Sequence, residues 1–292
     1  MGCVIGALAM EHIAVGLVEN HRLVDSMRIY PDEAKSSTTL HSMPPEQIAE
    51  TIRTEIEAAA HGQPIDAVGL GFPGIIRNGI VEESPNLRQI KGFKLESTLS
   101  ALLGNKPAVR ILNDADAIAA GIAATRGHLD ALIRVWTLGS GVGFGRYPVA
   151  EGVWEGGHMV VSLDAQEKYC GCGGRGHLEG IVGQRSMRLR FLDLEPDEVF
   201  ANARSGDERC ASFVKTWHRA LAAATATSIH LDGPGRFYFS GPNAAFVDLN
   251  VIDRYVHDMV TMSPLQGSAF ELIEASDETA VIGAAVNAVR AA

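Results

Sequence analysis

The chain has 292 residues, 46% of them apolar and 21% charged, which reads as an ordinary globular protein with room for more than one domain. Its formal charge is −10 and no run of Lys or Arg supplies the clustered positive charge that phosphodiesters need, so nucleic acid is excluded as the main partner. The apolar N-terminus is broken by Glu11 and His12 and has no basic leader, so neither a secretory signal nor a membrane span is expected, and the expected compartment is the cytoplasm.

Val4 to Met10 and Ile13 to Val18 are short apolar runs, and Arg22 to Ile29 alternates; together they predict three antiparallel strands in a meander, with a turn at Glu19-Asn20. Pro44-Pro45 precedes a predicted helix, Glu46 to Ala60, whose Ile48, Ile52 and Ile56 share one face. Ala67 to Phe72 reads as a buried strand running into Pro73-Gly74. Leu95 to Leu103 reads as a helix, Ala108 to Leu112 as a strand leading into Asn113-Asp114, and Ala115 to Arg126 as an alanine-rich helix. Strands first, then strands alternating with helices, imply an α/β domain with a mixed sheet and helices on its faces.

That domain is set at residues 1–115, and the pattern restarts in a second domain at 116–277. There the sequence predicts a strand at Arg134–Leu138 and helices at Leu178–Leu192, Pro196–Ser205 and Glu208–His230. A strand at Phe237–Ser240, a helix at Ala245–Met259 and a strand at Phe270–Ala275 follow. The closing helix, Glu278 to Arg290, carries a small face at Gly283-Ala284-Ala285, and residues 278–292 are expected to pack back on the first domain.

Chemistry is densest from Gly139 to Glu179. The glycine ladder Gly139-Ser140-Gly141-Val142-Gly143-Phe144-Gly145 follows a strand, and glycine is needed where backbone amides must converge on a phosphate. A flexible hairpin would give the same pattern. His158, Cys170, Cys172 and His177 supply two nitrogen and two sulfur donors, a set that tetrahedral zinc takes; the other reading is a free-thiol loop beside two surface histidines. Four protein ligands close such a site, so its zinc is expected to be structural, ordering the loop by on the order of 10 kcal/mol. Asn113-Asp114 sits where a strand hands over to a helix, the edge at which α/β sheets bind ligands. A carboxylate at Asp114 could accept a proton from an attacking hydroxyl, or it could cap the helix.

These residues resemble the ROK family (repressors, uncharacterised frames and sugar kinases) of the actin-like ATPase superfamily over nearly the whole chain. Gly71-Phe72-Pro73-Gly74 with Ser84-Pro85-Asn86-Leu87 resembles the family's sugar loop, and Asn113-Asp114-Ala115 its catalytic Asn-Asp-Ala. Gly139 to Gly145 resembles the second phosphate loop, and Glu155-Gly156-Gly157-His158 the Glu-x-Gly-His motif. Cys170-Gly171-Cys172-Gly173-Gly174-Arg175-Gly176-His177-Leu178-Glu179 resembles the zinc motif, with His177 replacing its last Cys, and Ser240-Gly241-Pro242-Asn243 falls at the adenosine turn.

The resemblance implies a two-domain, ribonuclease H-like fold with a cleft between its domains, and a homodimer. It implies Asp114 as general base, and Asn86, Asn113, Asp114, Glu155, His158 and Glu179 as ligands to a hexose such as glucose, mannose or an amino sugar. ATP with Mg would be held by Gly139, Ser140, Gly141, Gly143 and Gly241. Trp154 stands where the family has a small residue.

The resemblance fails at the first strand, where the family's Asp-x-Gly-Gly-Thr turn is replaced by Leu8-Ala9-Met10-Glu11-His12. Phosphoryl transfer is mostly positioning and charge neutralisation, so side chains in place of converging amides strike at catalysis. Two readings follow: an ATP-dependent sugar kinase, or a catalytically inactive carbohydrate-binding sensor or partner protein. The family's repressors carry a helix-turn-helix, which the acidic balance and the strand at the start of this sequence do not suggest.

Overall fold

The structure is a computed structural model and describes residues 2–31, 40–85, 87–150, 152 and 155–290. Asn86 and Trp154 lie outside the described residues. In chain order the elements are β1 (Cys3–Ala9), β2 (Ile13–Glu19), β3 (Arg22–Leu23), β4 (Arg28–Tyr30), α1 (Pro45–Ala59), β5 (Ile65–Phe72), β6 (Ile75–Arg77) and β7 (Ile80–Glu83). Then come α2 (Leu95–Leu102), β8 (Ala108–Asn113), α3 (Asp114–Thr125), β9 (Ile133–Leu138) and β10 (Val142–Tyr147). The remainder is α4 (Glu179–Val182), α5 (Gln184–Arg190), α6 (Pro196–Arg204), α7 (Glu208–Asp232), β11 (Arg236–Ser240), α8 (Leu249–Met259), β12 (Ala269–Leu272) and α9 (Asp277–Arg290). The fold is α/β, with mixed sheets flanked by helices.

The chain divides into two compact units, one of Met1–Ile133, Gly145–Val153 and Ser276–Ala292, the other of Arg134–Phe144 and Trp154–Ala275. The division falls at Ile133, not at residue 115, because α3 buries its alanine face in the first unit, among Leu8, Ala14 and the α9 residues Val281, Ala284 and Ala285.

In the first unit the sheet runs β3-β2-β1-β5-β8, with β4 also on β2. β1 pairs antiparallel with β2 and parallel with β5, which pairs parallel with β8. The first two strands of the expected meander are β1 and β2, while the third, expected over Arg22–Ile29, is split into β3 and β4, both antiparallel to β2. Asn20 and His21 make the turn after β2 at φ 49° and 62°, a conformation Asn and His tolerate better than most residues.

One face of this sheet is covered by α1 and α2, where Ile48, Ile52 and Ile56 are fully buried with Ile5, Val68 and Leu70. Each such side chain contributes roughly 1.5–3 kcal/mol. The other face takes α3 and α9. Their approach is close: a Cβ at Gly69 would stand 1.8 Å from the Ala284 carbonyl oxygen, and one at Gly283 would stand 1.9 Å from that of Ala117. The small residues noted in the closing helix are thus what lets it lie on the sheet backbone.

The second unit has a sheet ordered β10-β9-β11-β12, with β11 and β12 parallel. Its core gathers Trp136, Leu138, Phe144, Trp217, Leu221 and Phe239. Trp136 donates from Nε1 to Thr225 Oγ1 at 3.1 Å. Arg134 is fully buried; its guanidinium lies 3.9 Å from the Phe237 ring centroid and donates to Ser228 Oγ and the Gly233 carbonyl. The single helix expected over Leu178–Leu192 is broken, because Gly183 is extended at φ −66°, ψ 141°. Likewise the helix expected from Ala245 starts at Leu249, capped by Asp248, and a 3-10 turn (Pro242–Phe246) precedes it.

Candidate functional site

Three strands of the first unit end together. Leu8 pairs with Gly71, Gly71 with Leu112 and Phe72 with Asn113, so the turn after β1, Pro73-Gly74 and the start of α3 share the carboxyl edge of the sheet. Asn113 is the N-cap of α3: its Oδ1 accepts from Ala115 N at 2.9 Å, while its Nδ2 donates to the Gly74 carbonyl at 2.9 Å. The capping role open to Asp114 is therefore taken by Asn113, and Asp114 is the first helical residue, half-buried. Asp116, one residue past Ala115, is buried and accepts from Arg146 N at 2.8 Å, a structural bond that the sequence did not suggest.

The turn after β1 is short. Ala9 pairs with Ile13 and Met10 N donates to the His12 carbonyl at 2.9 Å, closing a three-residue loop. His12 Nε2 stands 2.6 Å from Asp277 Oδ2 at the start of α9. Glu11 is exposed. A bond internal to the turn occupies an amide that would otherwise be available to a phosphate.

The glycine ladder divides. Gly139, Ser140 and Gly141 form a turn closed by Gly139 N to the Gly141 carbonyl at 3.0 Å, whereas Gly143 and Gly145 lie in β10. The sequence put Gly143 in the loop; strand pairing with β9 takes it out, because its backbone is extended in the sheet. The carbonyl of Gly139 accepts from Gln184 N at 2.9 Å and that of Ser140 from Arg185 N at 3.2 Å. The amides of Ser140 and Gly141 have no acceptor among the described residues. Gly241 sits at φ +91°, where a Cβ would also meet the Leu138 carbonyl oxygen at 2.6 Å, so only glycine suits this turn.

His158, Cys170, Cys172 and His177 converge: their ligand atoms all lie within 4.8 Å of one another. His158 Nδ1 is 3.4 Å from Cys170 Sγ, the two sulfurs are 3.3 Å apart, and Cys172 Sγ is 3.3 Å from His177 Nδ1. Around a tetrahedral zinc with bonds of about 2.0–2.3 Å, neighbouring ligands stand roughly 3.3–3.8 Å apart, so the set fits that ion. Burial pushes the Cys170 thiol up to about 12, with the Cys172 thiol and the Glu179 carboxylate acting the same way.

Two carboxylates border this cluster. Glu155 Oε2 lies 3.8 Å from His158 Nε2, the nitrogen turned away from the cysteines. Glu179 reaches both neighbouring segments: Oε1 accepts from Gly171 N and the Cys170 thiol, each at 3.3 Å, and Oε2 accepts from Val142 N at 3.3 Å. The sequence offered Glu179 only as a sugar ligand; its bond to Val142 ties the cysteine loop to the glycine turn, a tertiary contact with no local signal.

Comparison with known proteins gives a consistent result. The model of the ROK family matches residues 11–290. A glucokinase of Pyrobaculum calidifontis is 30% identical over 254 residues, 81% of this chain and 83% of that protein. An N-acetylmannosamine kinase of Haemophilus influenzae is 25% identical over 300 residues, 98% of this chain and 94% of that protein. A solved ROK hexokinase from Thermus thermophilus has a TM-score of 0.79 at 23% identity, covering 99% of this chain and 98% of that one. No described helix is long and apolar enough to cross a membrane.

Proposed function

The chain belongs to the ROK family, and we propose that it is a sugar kinase that transfers the γ-phosphoryl group of ATP to a hydroxyl of a hexose-like sugar. The observation that carries this reading is the division of labour at the head of α3. Asn113 caps the helix and anchors to Gly74, which sets Asp114, the first helical residue, at the ligand-binding edge of the sheet. On this reading Asp114 is the general base, worth roughly 10²–10⁴-fold in rate. Relatives that phosphorylate glucose and N-acetylmannosamine support a hexose or amino sugar as substrate.

The proposed sugar contacts are Asn86, Asn113, Asp114, Glu155, His158 and Glu179. Ser140 and Gly141 offer the amides for ATP phosphates, with Gly139 and Gly241 shaping the turns that present them, and Mg accompanies the nucleotide. Zinc held by His158, Cys170, Cys172 and His177 would be structural, bracing the loop that carries Glu155 and His158. A cytoplasmic homodimer belongs to the same proposal.

A second reading has its own observation. The turn after β1 spends an amide on itself and is tied through His12 to Asp277, which favours a carbohydrate-binding protein without phosphoryl transfer. A coupled ADP-release assay with Mg-ATP over glucose, mannose, N-acetylglucosamine and N-acetylmannosamine, with Asp114→Ala as control, separates the two. Turnover lost in the control supports the kinase. Thermal stabilisation by a sugar without turnover on any of them supports the binding protein instead.

A further inference from the structure

The second unit contains a buried asparagine for which the reaction above has no role. Asn243 lies in the 3-10 turn after Gly241 and is 1% exposed. Its Nδ2 donates to the carbonyl of Gly139 and to that of Val182, each at 3.3 Å. Both partners are main-chain carbonyls, which only accept, so the amide must present its NH2 to them. Oδ1 then points away and has no partner among the described residues. A side chain that leaves an acceptor buried and unpaired is a costly choice for packing alone, and its donor half has to be the reason it is there.

What that donor half holds is the turn at Gly139. The Gly139 carbonyl takes two hydrogen bonds, from Gln184 N and from Asn243 Nδ2. Val182, the other carbonyl gripped by Asn243, is itself fixed to the core by Trp217 Nε1 at 3.3 Å. A peptide unit is planar and trans, so pinning the Gly139 carbonyl on one side aims the Ser140 N–H to the other. The bond from Arg185 N to the Ser140 carbonyl does the same for the N–H of Gly141. These are the two amides with no protein acceptor among the described residues.

We infer that Asn243 is a positioning residue for the nucleotide: by clamping the Gly139 carbonyl to the Val182 carbonyl, it aims the Ser140 amide at the phosphates. The inference rests on the kinase reading and assigns to that site a residue outside the loop. Asn243 touches no substrate on this account; it acts through the direction of a peptide plane.

The test compares wild type with Asn243→Asp, which keeps the shape but has no N–H to donate, and with Asn243→Ala, which keeps the fold measurable if the aspartate variant does not. Loss of one aligned hydrogen bond is expected to raise the KM for ATP about tenfold, with the sugar KM unchanged. Amide hydrogen exchange in a peptide spanning residues 138–143 should quicken in both variants without nucleotide present. An unchanged KM for ATP in an active protein overturns the inference, as do sugar and ATP KM values rising together with a lower melting temperature. A wild type that turns over no sugar removes the kinase reading. The exchange measurement still reports whether Asn243 holds the turn.

Discussion

His158 faces two ways: Nδ1 stands 3.4 Å from Cys170 Sγ, and Nε2 stands 3.8 Å from Glu155 Oε2. One ring therefore belongs both to the metal-ligand cluster and to the neighbouring carboxylate. A metal on Nδ1 would fix the ring and with it the donor that Nε2 offers, the usual way an outer partner is oriented by a ligated imidazole. On purified protein, metal analysis should find about one zinc per chain, falling to near none in Cys172→Ser, and chelation should lower the melting temperature by roughly 5 °C or more. Full thermal stability in metal-free protein would count against the site.

Asp114→Asn removes the proposed base without removing a hydrogen-bonding side chain. The turnover number should fall roughly 10²–10⁴-fold, while stabilisation of the protein by sugar in a thermal-shift assay persists. Activity within a factor of about ten of wild type would place the base elsewhere.

Asn113 joins α3 to the Gly74 turn, so its loss should be felt in stability as well as activity. Asn113→Ala is expected to lower the free energy of unfolding by about 1 kcal/mol for the cap, and by more with the Gly74 carbonyl left undonated. Asn113→Asp keeps the cap acceptor alone and should fall between the two in urea denaturation.

Gly141→Ala offers a separation of fold from function. The new Cβ would meet Glu179 Oε2 at 2.7 Å, the end of a flexible side chain that can swing aside. Stability should hardly change, yet displacing Glu179 from Val142 N should reduce activity on the order of 10²-fold. Kinetics and thermal denaturation of the same preparation decide this, and equal losses in both would contradict it.

His218 carries the clearest pH dependence of stability. Burial depresses its pKa below the usual 6.5, and both ring nitrogens are engaged: Nδ1 donates to the Val214 carbonyl and Nε2 accepts from Asp248 N. Between the depressed folded value and about 6.5 the unfolded chain binds more protons at this position, so stability rises with pH there and is lost as pH falls below about 6.5. Urea midpoints at several pH values should show this slope, and His218→Gln should flatten it.

Much of the fold was legible because local pattern and burial agree. The isoleucines of α1, the apolar runs of β1 and β2 and the small residues of α9 each announce their element and its burial. The misreadings share a cause. Gly183 looks tolerable inside a helical run, yet it is extended because Gln184 N and Arg185 N are needed by the Gly139 and Ser140 carbonyls. Gly143 belongs to the ladder by sequence and to a strand by pairing.

The sequence by itself determined the element types, the inventory of donors from Gly139 to Glu179, and the missing glycines at Met10-Glu11, since these follow from residue chemistry and short-range spacing. It could not decide which of Asn113 and Asp114 caps α3, because the orientation of Asn113 depends on its finding the Gly74 carbonyl, 39 residues away. Nor could it assign Asn243, whose partners lie 104 and 61 residues away. Only the tertiary structure decides where a side-chain donor meets a distant carbonyl, because a hydrogen bond depends on distance and direction and no periodicity along the chain encodes either.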